Sequence, residues 1–229
     1  GFLMEKELFY LSEYMDVQKK PSVLILGGSK ISGKIDLIKY FIDKVEIILI
    51  GGAMAFTFLK ALNKNVGCSY IEERKLETAK EILRMAEDNN VKLQLPSDVV
   101  CAKELKKDIN NRVCLIEDIQ PYEMAFDIGP ETCLIFDSLL QNSKTVIWNG
   151  PLGVTEIADF ATGTEHIASS LANMSTEDTI TIIGGGDTAS AIEKLGYIDK
   201  YTHISTGGGA SLKLLSGKKL SAIEAFDEK

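Results

Sequence analysis

A glycine-rich stretch that ends in an acidic residue, Gly184-Gly185-Gly186-Asp187-Thr188, has the residue types best suited to bind a ligand. Residues 179–183 predict a buried parallel strand, and residues 189–195 predict a helix that Asp187 and Thr188 cap. Glycines at a helix N-terminus let a phosphate approach free backbone N–H groups. Because Asp187 adds negative charge, a divalent cation must separate it from the phosphate. The stretch favours a metal-bound nucleotide; the alternative is an ordinary capped turn.

Three further glycine clusters follow predicted strands, at residues 27–28, 51–52 and 206–209. Repeated turns of this kind favour a ligand-binding surface at the carboxyl ends of parallel strands. Lys30 and Lys34 follow the first cluster, and if a helix begins near Lys30 they share one of its faces and clamp a phosphate. The alternative is a pair of solvated surface lysines. Phosphoryl transfer fits this set of residues because it needs charge neutralisation and positioning more than a nucleophilic side chain.

The elements that must position these residues alternate between strand and helix. This alternation predicts an α/β fold with a doubly wound, mainly parallel sheet. Strands are predicted at residues 22–26, 45–50, 91–95, 98–101, 145–148, 179–183 and 203–205. Helices are predicted at residues 1–15, 54–62, 72–89, 130–140, 160–173, 189–195 and 210–215, and between residue 34 and about residue 44. Residues 103–123 have no regular pattern.

The amino-acid composition limits the classes of protein to which this chain can belong. The 229 residues carry 25 basic and 33 acidic side chains, with 45% hydrophobic residues, as expected of one soluble globular domain. The acidic balance argues against a nucleic-acid partner, and no apolar run approaches the roughly 20 residues of a membrane helix, so we expect a cytoplasmic protein. The cysteines, which lack paired metal-ligand spacing and are interpreted as small core residues, are Cys68, Cys101, Cys114 and Cys133.

Two nucleotide-binding motifs match only in part. Residues 28–34 fit the pattern GxxxxGK, but Ile35 stands where a P-loop needs a serine or threonine. The spacing of Gly184, Gly186 and Ala189 fits a dinucleotide fingerprint, but no acidic residue ends the next strand and Asp187 lies inside the loop. The sequence therefore favours neither a P-loop nor an NAD site.

Six motifs together closely resemble the C-terminal half of the phosphoglycerate kinase family. They lie, in the order of the family, at residues 27–30, 50–58, 127–130, 148–154, 184–188 and 205–212. The resemblance extends from residue 1 to about residue 226. It implies a Rossmann-like fold of three layers, with helices on both faces of the sheet. It also implies that residues 1–229 form the nucleotide-binding domain of a two-domain glycolytic kinase that transfers a phosphoryl group between 1,3-bisphosphoglycerate and MgADP.

The resemblance further assigns roles to individual residues. Lys34 and the amides of Gly207, Gly208 and Gly209 would contact the group in transfer, and Asp187 would be the magnesium ligand. The residues expected to bind the nucleotide are Gly28, Ser29, Lys30, Lys34, Gly52, Phe126, Asn149, Leu152, Glu156, Gly185, Gly186, Asp187 and Thr188. Within this set the resemblance places Phe126 and Leu152 at the adenine and Glu156 at the ribose.

In this family a basic N-terminal domain holds the sugar phosphate, and its arginine supports the transition state. The arginines of this chain, Arg74, Arg84 and Arg112, lie far from the glycine clusters in the sequence. The chain also starts on Gly-Phe-Leu-Met, which leads us to expect a piece of a longer, monomeric protein. We therefore expect the chain alone to bind MgADP or MgATP with little or no turnover. The alternative is a free-standing nucleotide-binding module without catalysis.

Overall fold

The computed structural model describes residues 19–174 and 179–205. Its strands are β1 (Ser22–Leu26), β2 (Ile47–Ile50), β3 (Lys92–Gln94), β4 (Asp98–Ala102), β5 (Arg112–Leu115), β6 (Met124–Ile128), β7 (Thr145–Asn149), β8 (Ile180–Gly184) and β9 (His203–Ser205). Its α-helices are α1 (Ile35–Phe41), α2 (Met54–Ala61), α3 (Leu76–Asp88), α4 (Pro130–Leu140), α5 (Thr162–Met174) and α6 (Gly186–Lys194). The helices predicted at residues 1–15 and 210–215, and the glycine cluster at 206–209, lie outside the described residues.

Six strands form a parallel sheet in the order β3-β2-β1-β7-β8-β9. Numbered within this sheet alone, the order is 3-2-1-4-5-6, which is the order of doubly wound Rossmann folds. The register pairs Leu26 with Asn149, and Asn149 with Gly184, so three central strands end at one level. The direction of winding reverses between β1 and β7. Ligands of such folds bind in the crevice at that reversal.

Helices cover both faces of the parallel sheet. Successive side chains of a strand point to opposite faces, so the uninterrupted apolar sequence of β1 supplies both layers of the core. Leu24 and Ile48 pack on one side with residues of α1, α2 and α3. Ile25 and Trp148 pack on the other side with residues of α4 and α5. The predicted three-layer α/β architecture is confirmed. Within the described residues, no helix has the length and apolar composition needed to cross a membrane.

A second, antiparallel sheet of three strands has the order β5-β4-β6. The strand predicted at residues 98–101 belongs to this second sheet, where it is β4. β5 and β6 had no predicted counterpart. In β5 the exposed residues Val113 and Leu115 are apolar, like the buried Cys114 between them, so the sequence lacks the polar–apolar alternation that predicts a half-buried strand. The buried side of the small sheet packs Val99 against Phe56 and Leu59 on α2.

Asp98, at the start of β4, connects the small sheet to helix α4. Its carboxylate accepts hydrogen bonds from the backbone N–H groups of Glu131, at 3.0 Å, and Thr132, at 2.7 Å. These donors belong to the first turn of α4, whose N–H groups have no partner within the helix. Pro130 occupies the first turn and has no N–H to satisfy. A carboxylate from another element thus caps α4.

Candidate functional site

The glycine turns that follow the central strands are hydrogen-bonded to one another. Gly27 donates its N–H to the carbonyl of Asn149 at 3.0 Å, and Gly28 donates to the carbonyl of Pro151 at 2.7 Å. Gly150 has a φ of +96°, and a Cβ there would lie 2.4 Å from the Gly27 carbonyl oxygen. Only glycine fits this approach without strain. The turns after β1 and β7 therefore form one rigid edge at the point where the winding reverses.

A cavity of about 310 Å³, which we call the glycine cavity, lies along this edge. It is lined by Gly28, Ser29, Lys30, Lys34, Asn149, Gly150, Pro151, Gly185, Gly186, Asp187 and Thr188. Apart from Gly150 and Pro151, every one of these residues was predicted to bind the nucleotide. The structure therefore brings the two lysines, the glycine turns and the acidic residue to a single cavity.

A second cavity, of about 420 Å³, shares Ser29 and Lys30 with the glycine cavity. We call it the aromatic cavity, because Tyr70 and Phe126 belong to its lining. The remaining lining residues are Ala53, Leu105, Met124, Ala125 and Val154. The Phe126 ring packs against Phe160, with 4.9 Å between the ring centroids. A mostly apolar cavity with aromatic walls suits a flat heterocyclic ring.

Lys34 is a partly buried cation in the glycine cavity. Its ammonium group donates to the side-chain oxygen of Asn149 and, at 3.4 Å, to the carbonyl of the same residue. Burial lowers the pKa of Lys34 from 10.5 to about 8, and the charge of Asp187 opposes this shift. Lys34 thus remains mostly protonated at neutral pH although it is poorly hydrated. An anion bound nearby would restore the electrostatic stabilisation that the cation loses on burial.

The start of α6 supplies the second anion-binding feature. Gly185, with a φ of +101°, precedes the helix, and no side chain of the described residues caps the first turn. A Cβ on Gly186 would meet no atom of residues 19–174 or 179–205 within 4 Å, so these residues leave the space in front of the helix open. Its N–H groups and the positive end of its dipole therefore lie at the cavity.

Two sequence-based expectations about helix starts were wrong. α6 begins at Gly186, so Asp187 and Thr188 lie within its first turn and do not cap it. The Thr188 hydroxyl instead accepts the N–H of Gly150 at 3.0 Å, while Asp187 is exposed at the cavity. Lys30 has extended backbone before a short 3-10 helix, Ile31–Gly33, so it shares no α-helical face with Lys34. The two lysines reach one cavity because the chain turns between them.

Asn149 provides a test of whether a nucleotide phosphate fits. Its side-chain Nδ2 is buried and has no hydrogen-bond partner among the described residues. A Cβ on Gly185 would lie 3.7 Å from that nitrogen, which places it beside the open start of α6. An unsatisfied buried donor costs roughly 1–3 kcal/mol, and a phosphate oxygen would satisfy it. The donor groups fit a phosphate, and the exposed carboxylate of Asp187 fits a hard divalent cation such as Mg²⁺.

Some predicted site residues line neither cavity. Gly52 has a φ of +64°, and a Cβ there would lie 2.6 Å from the Gly28 nitrogen. Gly52 therefore packs against the backbone of the Gly28 turn. Leu152 is fully buried in the hydrophobic core. Glu156 is exposed in a turn, two residues after Val154 of the aromatic cavity. The predicted catalytic glycines, Gly207, Gly208 and Gly209, lie outside the described residues.

Sequence reasoning assigned no role to Asp127, although it lies in one of the quoted motifs. Its carboxylate accepts the N–H groups of Gly163, at 2.7 Å, and of Ile128, at 2.9 Å. A Cβ on Gly153 would lie 2.1 Å from its Oδ1. Burial raises the pKa of Asp127 to about 8, and the two N–H donors oppose this shift. Asp127 thus joins β6, which lines the aromatic cavity, to the loop after Pro151 and to the start of α5.

The fold and the site define a class: a doubly wound α/β protein with a glycine-lined cavity at the reversal of its sheet. The model of the family described as phosphoglycerate kinase matches residues 1–218. The chain is 50% identical to a phosphoglycerate kinase of Finegoldia magna, and 51% identical to one of Thermosynechococcus vestitus over 228 residues. Each match covers 100% of this chain and 57% of the relative. The chain therefore belongs to the phosphoglycerate kinase family.

Solved structures agree with this assignment. A phosphoglycerate kinase from Coxiella burnetii superposes with a TM-score of 0.91 at 39% identity, covering 98% of this chain and 57% of that one. One from Pyrococcus horikoshii gives a TM-score of 0.83 at 25% identity. The chain thus spans little more than half the length of the relatives that it matches. The resemblance to the C-terminal half of the family is confirmed.

Proposed function

We propose that this chain is the C-terminal nucleotide-binding domain of a two-domain, cytoplasmic phosphoglycerate kinase. In this proposal it binds MgADP or MgATP for reversible phosphoryl transfer in glycolysis between 1,3-bisphosphoglycerate and 3-phosphoglycerate. The observation that carries the proposal is the pairing of two cavities that share Ser29 and Lys30, one with aromatic walls and one with a partly buried cation and a helix N-terminus. Because the two cavities adjoin, one can take the base and the other the phosphates of one nucleotide.

The base would occupy the aromatic cavity and the phosphates the glycine cavity, with Ser29 and Lys30 at the junction. Lys34 would neutralise phosphate charge, and Asn149 would donate its unpartnered N–H to a phosphate oxygen. The open start of α6 would receive a further phosphate oxygen.

Asp187 would hold Mg²⁺, which supplies charge neutralisation to the phosphates when it is bound. Lys34 would remain protonated near the phosphoryl group, because an adjacent anion raises the pKa of an ammonium group. The amides of Gly207, Gly208 and Gly209 would donate hydrogen bonds to the group in transfer. Catalysis of this kind rests on position and charge, so it requires no nucleophilic side chain from this chain.

The acid substrate would be bound by a separate domain of the same, monomeric protein. Arg112 lies in β5 and its guanidinium is bonded to Glu123, so it faces neither cavity. Without a free arginine at the glycine cavity, the chain alone would bind the nucleotide and turn it over poorly. A coupled assay of the isolated chain, with saturating MgATP and 3-phosphoglycerate, tests this point. Turnover at the rate of a complete phosphoglycerate kinase would contradict it.

The position of the base is tested by calorimetric titration with MgADP. Phe126→Ala removes a wall of the aromatic cavity, and we expect the affinity to fall roughly fivefold because aromatic contacts of this kind contribute about 1 kcal/mol. Tyr122→Ala is the matched control, since Tyr122 is exposed and lines neither cavity of the site. An equal loss of affinity in both variants, or in neither, would contradict the assignment of the aromatic cavity to the base.

A further inference from the structure

Two cysteines and a glutamate, none of which lines the glycine cavity or the aromatic cavity, meet in the small antiparallel sheet. Cys101 lies in β4, Cys114 lies in β5, and Glu123 immediately precedes β6. All three are buried, and one ligand atom from each lies within 4.8 Å of the others. Among residues 19–174 and 179–205, no other three His, Cys, Asp or Glu side chains come together in this way.

The distance between the sulfurs fits a shared metal ion. The Sγ atoms of Cys101 and Cys114 are 3.6 Å apart. Two thiolates at about 2.3 Å from a tetrahedral Zn²⁺ ion are separated by about 3.8 Å, so the pair already has the required spacing. A disulfide would need the sulfurs to approach to about 2.05 Å, and an oxidant to accept two electrons. Metal binding needs neither.

We propose that Cys101, Cys114 and Glu123 bind a thiophilic divalent cation of the Zn²⁺ type. In the binding step the two thiols each lose a proton to solvent, and two sulfur–metal bonds and one oxygen–metal bond form without oxidation or reduction. A water molecule completes the four-coordinate set. The site would connect β4 and β5 to the residue that leads into β6, and so would cross-link the small sheet.

The charges around the cluster favour a divalent cation. The Glu123 carboxylate accepts two hydrogen bonds from the Arg112 guanidinium, at 2.8 and 2.7 Å, and one from the Gln120 N–H at 2.9 Å. Two thiolates and this carboxylate carry three negative charges, which a divalent cation and Arg112 together neutralise. Outer partners of this kind orient a ligating carboxylate.

Burial raises the pKa of both thiols, so the cysteines remain protonated until a metal displaces the protons. Metal binding is therefore expected to release protons and to strengthen as the pH rises.

A route for the ion and its water ligand is present. A cavity of about 380 Å³ adjoins the cluster, and its lining includes Cys101, Glu123, Asn110 and Asn111. The cavity is large enough for several water molecules. This site could not be predicted from the sequence, because twelve residues separate the two cysteines and their proximity depends on the antiparallel register, which pairs Val99 with Cys114.

The proposal is tested by titrating the reduced, metal-free chain with Co²⁺. Asp187→Asn serves as the background, so that the proposed nucleotide metal site does not contribute. We expect sulfur-to-cobalt charge-transfer absorption that saturates at one equivalent, is displaced by Zn²⁺, and is accompanied by release of about two protons. Because the absorption requires thiolate ligands, its outcome is independent of whether the chain binds nucleotide.

Cys101→Ser and Cys114→Ser should each abolish the absorption, whereas Cys133→Ser and Cys68→Ser, the matched controls, should retain it. Glu123→Gln should weaken Co²⁺ binding at least roughly tenfold. Circular dichroism would confirm that each variant is folded, and protection of two wild-type thiols from alkylation by Zn²⁺ gives a readout that needs no variant. Absence of charge-transfer absorption in the parent chain, or its persistence in either Cys101→Ser or Cys114→Ser, would overturn the proposal.

Discussion

Replacement of Lys34 by methionine should stabilise the fold while it weakens nucleotide binding. Burial lowers the pKa of Lys34 from 10.5 to about 8. Each unit corresponds to about 1.4 kcal/mol, so burial of the charged form costs up to about 3 kcal/mol at neutral pH. The side chain is partly solvated and bonds Asn149, which offsets much of this cost. We expect Lys34→Met to raise the free energy of unfolding by about 1 kcal/mol at pH 7.

The lowered pKa of Lys34 also determines whether the stability of the protein rises or falls with pH. The folded chain releases the Lys34 proton near pH 8, and the unfolded chain releases it near pH 10.5. Between these values the unfolded state binds more protons, so this residue makes the wild-type protein more stable as the pH rises. Methionine does not titrate. The advantage of Lys34→Met should therefore be largest at pH 7 and should shrink as the pH approaches 10.

Urea unfolding at pH 7 and at pH 9.5 measures the stability effect, and calorimetric titration with MgADP measures binding. Lys30→Met is the matched control, because Lys30 lines the same cavity but is exposed, and its replacement should change stability by less than about 0.5 kcal/mol. We expect Lys34→Met to lower MgADP affinity at least roughly tenfold, as the loss of a charge-assisted hydrogen bond does. A destabilised Lys34→Met protein, or a stability difference from wild type that does not depend on pH, would show that burial of the Lys34 charge does not cost stability.

Three further substitutions distinguish residues that stabilise the fold from residues expected to bind the nucleotide. Gly150→Ala should lower stability by at least about 2 kcal/mol in thermal unfolding, because of its positive φ and its close approach to Gly27, whereas Gly33→Ala, with open space around it, should not. Gly186→Ala should change stability by less than about 0.5 kcal/mol but lower MgADP affinity roughly tenfold, because the new methyl group enters the glycine cavity; unchanged affinity would contradict the anion site. Asp98→Ala should cost about 2 kcal/mol in urea unfolding, because the first turn of α4 loses its cap.

Many strands and helices could be predicted because the sequence pattern of each segment matches its burial in the folded protein. β1 and β7 are short apolar runs that are buried on both faces, as parallel strands in the middle of a sheet must be. Pro130 marks the start of α4 in the sequence and in the structure. The small sheet could not be predicted in the same way, because Val113 and Leu115 are exposed on β5. Its pairing is decided by tertiary contacts with β4.

The parts of the candidate site that are glycine turns directly after strands could be predicted from the sequence. Gly28, Gly185 and Gly186 follow strands whose ends the parallel register brings to one level. The roles of Tyr70 and Leu105 could not be predicted, since both lie in irregular segments and join the aromatic cavity only through the folded chain.

The magnesium dependence of ADP binding, compared between the wild-type chain and Asp187→Asn, tests whether Asp187 holds a metal ion at the nucleotide phosphates. Calorimetric titration with ADP, with and without Mg²⁺, gives the four affinities required. If Asp187 holds the metal that bridges to the phosphates, Mg²⁺ should tighten ADP binding at least roughly tenfold in the wild type and by much less in Asp187→Asn. Equal tightening in both proteins, or no binding of ADP by the wild-type chain under either condition, would contradict the account.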